Sequence, residues 1–157
     1  MSNTELIQQF YQSFARADAE GMITAYHENV VFKDPAFGKL EKERARSMWR
    51  MLLSRNNEIH ITHKILETSG NTAKVAWTAI YNYGPKKRKV VNHVTAHLVF
   101  QDAKIIKHTD KFNLWNWSRQ ALGLSGFLLG WTPFMKKKIQ QKTNSLLHKF
   151  MEDRKNP

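Results

Sequence analysis

Three side chains in this sequence have the type and setting to move a proton. His108 and Asp110 stand two apart in the run K-I-I-K-H-T-D-K-F. That run reads as a strand, so both project from one face with backbones roughly 6–7 Å apart. Phe112 continues the face and Ile106 precedes it, an apolar lining that would push a carboxyl pKa up toward values useful in acid–base work. The same pair also reads as a hydrogen-bonded structural couple at a rim. Asp34, just before Pro35, is the third. Facing a cavity, it would remove a proton alpha to a carbonyl, with Tyr26, Asn92 or His108 donating to the developing oxyanion. An Asp before Pro is equally a turn and capping residue.

Other chemistry is excluded or disfavoured. The chain has no cysteine, which removes disulfides, thiolate metal sites and cysteine nucleophiles. His93 and His97 lie on a strand-like segment, where four residues separate them by roughly 13 Å, too far for one ion with roughly 2 Å bonds. His60 and His63 would face opposite sides of their strand. No metal and no cofactor is expected.

The elements that must position these residues follow from periodicity. Leu6, Ile7, Phe10, Tyr11 and Phe14 recur at helical spacing behind a capping box of Ser2 and Glu5. Asp18 caps a shorter helix carrying Met22, Ile23 and Tyr26. The polar H-E-N turn then leads into Val30-Val31-Phe32, a strand stopped by Asp34-Pro35. From Leu40 to Ser54 the helical period returns, with Ala45, Met48, Trp49 and Leu52 on one side. Beyond Glu58 the period is two. Ile59–Thr68, Thr72–Tyr83, Val90–Gln101 and Lys104–Phe112 read as strands punctuated by S-G-N, G-P-K-K-R-K and Q-D-A. Short turns between successive strands mean antiparallel hairpins. Asn92, Val94, Ala96, Leu98 and Phe100 share one face, His93, Thr95 and His97 the other. Trp77, Ala79, Tyr81 and Tyr83 alternate to form a flat wall that, with Trp49, suits a ring-containing ligand, although core packing explains most aromatics in any small domain. A glycine-rich bend and a final helix capped by Thr132-Pro133 end the chain, its apolar side running through Met135, Ile139, Leu146 and Phe150.

The 157 residues, 41% apolar and 24% charged, describe one ordinary domain with a single core. The absence of a leader or long apolar run gives a cytoplasmic expectation. A net charge of +12 raises nucleic acid and anionic membranes as partners. Lys86-Lys87-Arg88-Lys89 reads as a solvated hairpin turn, so nucleic acid is not the expected partner. Lys136-Lys137-Lys138 follows F-L-L-G-W-T-P-F-M, a combination suited to peripheral contact with a membrane surface. The favoured reading, however, folds that segment back over a pocket mouth or a dimer, its apolar side covering a surface that would otherwise be exposed.

The order helix, helix, short strand, helix and four strands, with Y-H-E-N-V-V-F-K-D-P-A-F-G at 26–38 and H-T-D-K-F-N-L-W at 108–115, resembles the nuclear transport factor 2-like superfamily. Within it, the chain is similar to the SnoaL-like proteins related to polyketide cyclases and ketosteroid isomerase, and W-N-W-S-R-Q-A-L-G at 115–123 is similar to tails of many of them. The resemblance covers roughly residues 4–115. It implies an α+β, cone-shaped (cystatin-like) fold, a curved antiparallel sheet packed on three N-terminal helices, with an extra C-terminal helix. The expected division is a SnoaL-like domain over 1–115 and a helical extension over 116–157 packed on it. It also implies a conical pocket for a small apolar molecule and a homodimer through the outer sheet face. Asp34 falls at the isomerases' general base, while Phe10 and Ala96 replace their oxyanion donors, which disfavours ketosteroid isomerisation itself. Asp110 resembles the last-strand acid of cyclase-like relatives. The implied activities are isomerase, cyclase, dehydratase or epoxide hydrolase, with Asp34 and Asp110 in acid–base roles, His108 orienting or relaying a proton, and Tyr26, Trp49, Trp77, Asn92, Phe112 and Trp115 around the substrate. The alternative is a noncatalytic ligand-binding or interaction module.

Overall fold

The computed structural model describes residues 1–55 and 58–156. Helix α1 (Asn3–Ala15) starts with the anticipated capping box: the Ser2 hydroxyl accepts from the Glu5 amide and the Glu5 carboxylate accepts from the Ser2 amide, both at 3.1 Å. Such a cap stabilises a helix start by about 1 kcal/mol. Asp18 caps α2 (Ala19–Ile23) through the Gly21 amide.

Strand β1 (Tyr26–Asp34) begins four residues earlier than Val30. The H-E-N triplet is part of it, at an irregularity in the pairing between Tyr26 and Val31, because the strand keeps its place beside its neighbour by bulging instead of turning. Asp34-Pro35 does end the strand. A short strand, β2 (Gly38–Glu41), then pairs antiparallel with β1. It replaces the expected first turn of the next helix, so α3 spans Glu43–Arg55. Leu40 belongs to that hairpin, 1% exposed. Four residues are too short for a period-two signal to show.

Strands β3 (His60–Ser69), β4 (Thr72–Tyr83), β5 (Arg88–Gln101) and β6 (Lys104–Lys111) form the meander. At the β5–β6 turn, Asp102 and Ala103 have φ of 53° and 58°, the left-handed pair that a two-residue hairpin demands. The sheet order is β2-β1-β6-β5-β4-β3. It is antiparallel except where β1 runs parallel to β6, so the sheet is mixed. Its inner face packs on α1 and α3, burying Phe10, Phe14, Phe32, Trp49 and Trp77 in one cluster; full burial of such a side chain stabilises by about 2–3 kcal/mol.

After β6 come α4 (Leu114–Leu122), α5 (Leu124–Leu129) and α6 (Pro133–Lys155). Thr132 caps α6 as its sequence indicated. Met135, Ile139 and Leu147 are the buried residues of α6, with Leu146 and Phe150 only partly buried against the core. Gly126 lets α5 fold onto α4, since a Cβ there would collide with the Ser118 carbonyl.

Candidate functional site

The pairing of β1 with β6 builds the site. Phe32 lies opposite His108 and Lys33 opposite Thr109, so the next step of the register sets Asp34 beside Asp110 on the inner face, with strand backbones about 5 Å apart. Both expected carboxylates are thus brought together by two strands that are distant in sequence.

His108 is 1% exposed and Asp110 3%. They belong to a chain of hydrogen bonds that crosses the core. Trp49 Nε1 donates to the Tyr26 hydroxyl at 2.8 Å, and that oxygen lies 2.9 Å from His108 Nδ1. His108 Nε2 lies 2.8 Å from Asp110 Oδ1, which also accepts from Trp77 Nε1 at 3.3 Å. One set of directions satisfies every group: Tyr26 gives its hydrogen to Nδ1, and Nε2–H donates to the carboxylate. Rings of Phe10 and Phe32 meet His108 edge-on while Trp49 stacks on it. Burial raises the Tyr26 phenol well above its ordinary pKa. Tyr26 and His108 were candidate oxyanion donors, but their hydrogens are already committed to this chain.

Asp34 is different. It is half-buried, and its Oδ1 accepts from the Ala36 and Phe37 amides at 2.9 and 2.6 Å, which makes it the turn residue that its place before Pro35 suggested. Although part of its surface meets solvent, protein packs around it closely enough that desolvation is the largest influence on its carboxyl. Its pKa is pushed up to about 7, with the Asp110 charge adding to the rise and the two amides opposing it.

The β4 row holds Trp77, Ala79, Tyr81 and Tyr83 on the inner side, as expected. Asn92 lies across from Ala79, half-buried. On β6 it is Ile105, not Ile106, that is buried inward, because a bulge between the Val99 and Phe100 pairings shifts the alternation. Phe112 packs at the seam between the main cluster and the one formed by α4 and α6. Trp115 is placed elsewhere: its indole donates to the Phe127 carbonyl and its ring lies near that of Phe127, in a surface groove shared with Trp131.

Two groups carry more than the sequence indicated. Tyr81 accepts the Trp117 indole N–H at 2.8 Å and keeps its own hydrogen to give; burial pushes its phenol up to about 12, and the Asp34 charge contributes. Tyr11, stacked on His63, has a buried hydroxyl with no partner among the described residues. A helical period could mark both Phe10 and Tyr11 as interior, but not that one hydroxyl would lack a mate.

The C-terminal helices cover the end of the cone near Asp34. Gln140, Thr143 and Asn144 donate to the carbonyls of Pro35, Ala36 and Phe37, and Gln120 bonds both the N–H and the C=O of Val91. Among the described residues, surface grooves lie beside Ile59, Ile80 and Tyr81, of about 360 Å³, and between Trp115 and Trp131, of about 450 Å³. Asp34, His108 and Asp110 line neither. Among the described residues no group of three His, Asp or Glu side chains could hold a metal ion, and no helix is long and apolar enough to cross a membrane.

Comparison with known proteins follows this geometry. The sequence model for the SnoaL-like domain matches residues 7–108. No curated protein matches the chain. Among solved structures, a candidate polyketide cyclase from Silicibacter sp. superposes with a TM-score of 0.66 at 17% identity, over 75% of this chain and 93% of that one. A hypothetical protein with a ketosteroid isomerase-like fold from Catenulispora acidiphila, solved with trimethylamine, gives 0.65 at 15% identity, over 84% and 100%. An LEH-like epoxide hydrolase from Mycobacterium tuberculosis gives 0.59 at 17%, over 79% and 92%. At these identities the likeness establishes the fold.

Proposed function

The chain belongs to the SnoaL-like domain family, and from that premise we propose that it binds a small apolar carbonyl or epoxide compound beside the half-buried Asp34, under the C-terminal helices that cover that end of the cone, and moves a proton on it. The observation that carries this reading is the β1–β6 register, which brings Asp34 near Asp110: the first carboxyl has its pKa pushed up to about 7, and the second is bonded to His108 and Trp77. Carboxyls whose surroundings set them to different tasks are the usual arrangement for acid–base work.

In this mechanism Asp34 uses its ionised form. Oδ1 is fixed by two amides, so Oδ2 takes the proton alpha to the carbonyl. The enolate oxygen that forms accepts a hydrogen bond from Tyr81, whose oxygen is polarised by the Trp117 N–H. The proton returns from Asp34 to a second carbon in an isomerisation. For an epoxide, Asp34 instead takes a proton from the attacking water as the ring C–O bond breaks, and that proton then passes from Asp34 to the alkoxide oxygen the opening leaves. Asp110, hydrogen-bonded to His108 and Trp77, lies near Asp34, and its charge favours the protonated form of that base.

Exchange of alpha protons in deuterated water, followed by NMR for a panel of enolisable ketones, tests this. The wild type should catalyse exchange on at least one ring-containing ketone, Asp34→Asn should fall to background, and Tyr81→Phe should lose about tenfold to a hundredfold. Undiminished exchange in Asp34→Asn would overturn it.

A second reading, a noncatalytic ligand-binding module, is favoured by one observation: Phe10, Trp49 and Trp77 fill the interior, and the His108 chain is satisfied within itself. Ligand binding that is unaffected by Asp34→Asn, without turnover, would establish it.

A further inference from the structure

The most apolar part of the surface is the corner between α5 and α6. Leu124, Trp131 and Phe134 are 73%, 71% and 69% exposed, and Phe127, Leu128 and Leu129 between them are about half exposed. An unpartnered patch of this kind marks an interaction site on a folded protein. The corner is not adrift: Met135 and Ile139 of the same helix are buried against Trp117 and Val90, so the exposure is a property of the docked state.

The charge around the patch is of one sign. Residues 111–151 contain seven Lys and Arg and no Asp or Glu. Lys136, Lys137 and Lys138, all exposed, come one residue after Phe134, past the buried Met135, and Arg119 lies over the Trp115 ring. The groove of about 450 Å³ runs between Trp115 and Trp131 with Lys136 on its wall.

We infer that this corner docks the protein on an anionic lipid surface, with Trp131, Phe134 and the leucines of α5 entering the headgroup boundary and Lys136–Lys138 pairing with lipid phosphates and carboxylates. Indole and phenyl rings beside lysines are the side chains that favour such a boundary. A second copy fits less well, because a twofold contact through this patch would bring the two lysine clusters together. Nucleic acid fits less well too, since Leu124, Leu128 and Leu129 offer bases nothing to stack on. The inference is independent of the catalytic reading: Asp34 takes no part in it.

Cosedimentation of the full chain with phosphatidylcholine vesicles, with and without phosphatidylserine, tests it. Binding should require phosphatidylserine and weaken in high salt. Trp131→Ser combined with Phe134→Ser should lower partitioning by about tenfold or more, and reversing Lys136–Lys138 to Glu should abolish it. Trp131→Phe should retain binding, which separates apolar insertion from a folding defect; all these side chains are exposed, so melting temperatures should not move. Equal pelleting with both vesicle types would overturn the inference. So would binding indifferent to Trp131 and Phe134, retention on DNA without vesicle binding, or self-association that shields Trp131 in the absence of lipid.

Discussion

Nε2 of His108 and Oδ1 of Asp110, two residues apart on β6, lie 2.8 Å from each other with both side chains almost wholly buried. The carboxylate also takes the Trp77 indole N–H. Removing it leaves two buried donors unpaired, and a buried donor without an acceptor costs about 1–3 kcal/mol. Asp110→Ala should therefore lower stability by about 2–4 kcal/mol in urea unfolding. Asp110→Asn, which keeps an acceptor oxygen, should lose about 1 kcal/mol. Equal losses in the two variants would mean that volume, not the acceptor, is what the site requires.

The same substitution at two tyrosines should have opposite signs. The Tyr26 hydroxyl joins Trp49 to His108, so Tyr26→Phe strands two buried groups and should cost about 2 kcal/mol. The Tyr11 hydroxyl is buried without a partner among the described residues, so Tyr11→Phe should be neutral or stabilising by about 1 kcal/mol. Thermal unfolding of both variants decides the matter; a large loss for Tyr11→Phe would show that its hydroxyl is bonded in solution, to a water or a ligand.

Periodicity made most of this fold legible. The capping box at Ser2, the limits of β4 and the Thr132 cap follow from side-chain chemistry within a few residues of chain. The parallel β1–β6 pairing could not follow from it, because nothing local in Tyr26–Asp34 records which strand lies alongside. That pairing is nonetheless what puts Asp34 next to Asp110. His108 and Asp110 were legible as a pair since they share a strand face. Their partners Tyr26 and Trp77 were legible as a candidate oxyanion donor and as part of a ligand wall, not as hydrogen-bond partners of this pair, because a hydrogen bond across 82 or 33 residues is a product of packing. Trp115 misled for the same reason: the sequence marks it as aromatic after β6, but the start of α4 turns it onto the outer surface with Phe127.

Asp34 should make stability fall as pH rises. Its folded pKa of about 7 exceeds the ordinary 3.8, so between those values the folded chain holds a proton that the unfolded chain has released. The stabilisation is complete below about pH 4 and is lost as pH rises through 7. Solvent at its exposed edge screens the effect, leaving about 1–3 kcal/mol. Asp34→Asn preserves an oxygen for the two amides and removes the titration, so its stability should change less between pH 4 and pH 8 than that of the wild type. Carbon NMR of the Asp34 carboxyl measures the pKa directly; a midpoint near 4 would rule the argument out.

That raised pKa should in turn depend on α6. Gln140 Nε2, Thr143 Oγ1 and Asn144 Nδ2 donate to the carbonyls of Pro35, Ala36 and Phe37 at 3.0, 2.8 and 2.8 Å. Three consecutive carbonyls of the loop that follows Asp34 are thus held by one helix, each bond contributing about 1 kcal/mol. Ala36 and Phe37 are also the residues whose amides grip the Asp34 carboxylate. Replacing Gln140, Thr143 and Asn144 by Leu, Val and Leu removes the donors and leaves Met135, Ile139 and Leu147 to hold the helix on its cluster. Amide exchange over residues 36–41 should then accelerate about tenfold to a hundredfold, while β4 and β5 keep their protection. With water admitted to the loop, desolvation of the carboxyl weakens and the Asp34 midpoint should move from about 7 toward 3.8. Faster exchange with an unmoved Asp34 midpoint would show that β1 and β6 alone set its surroundings, and that the helix closes the cone without tuning its base.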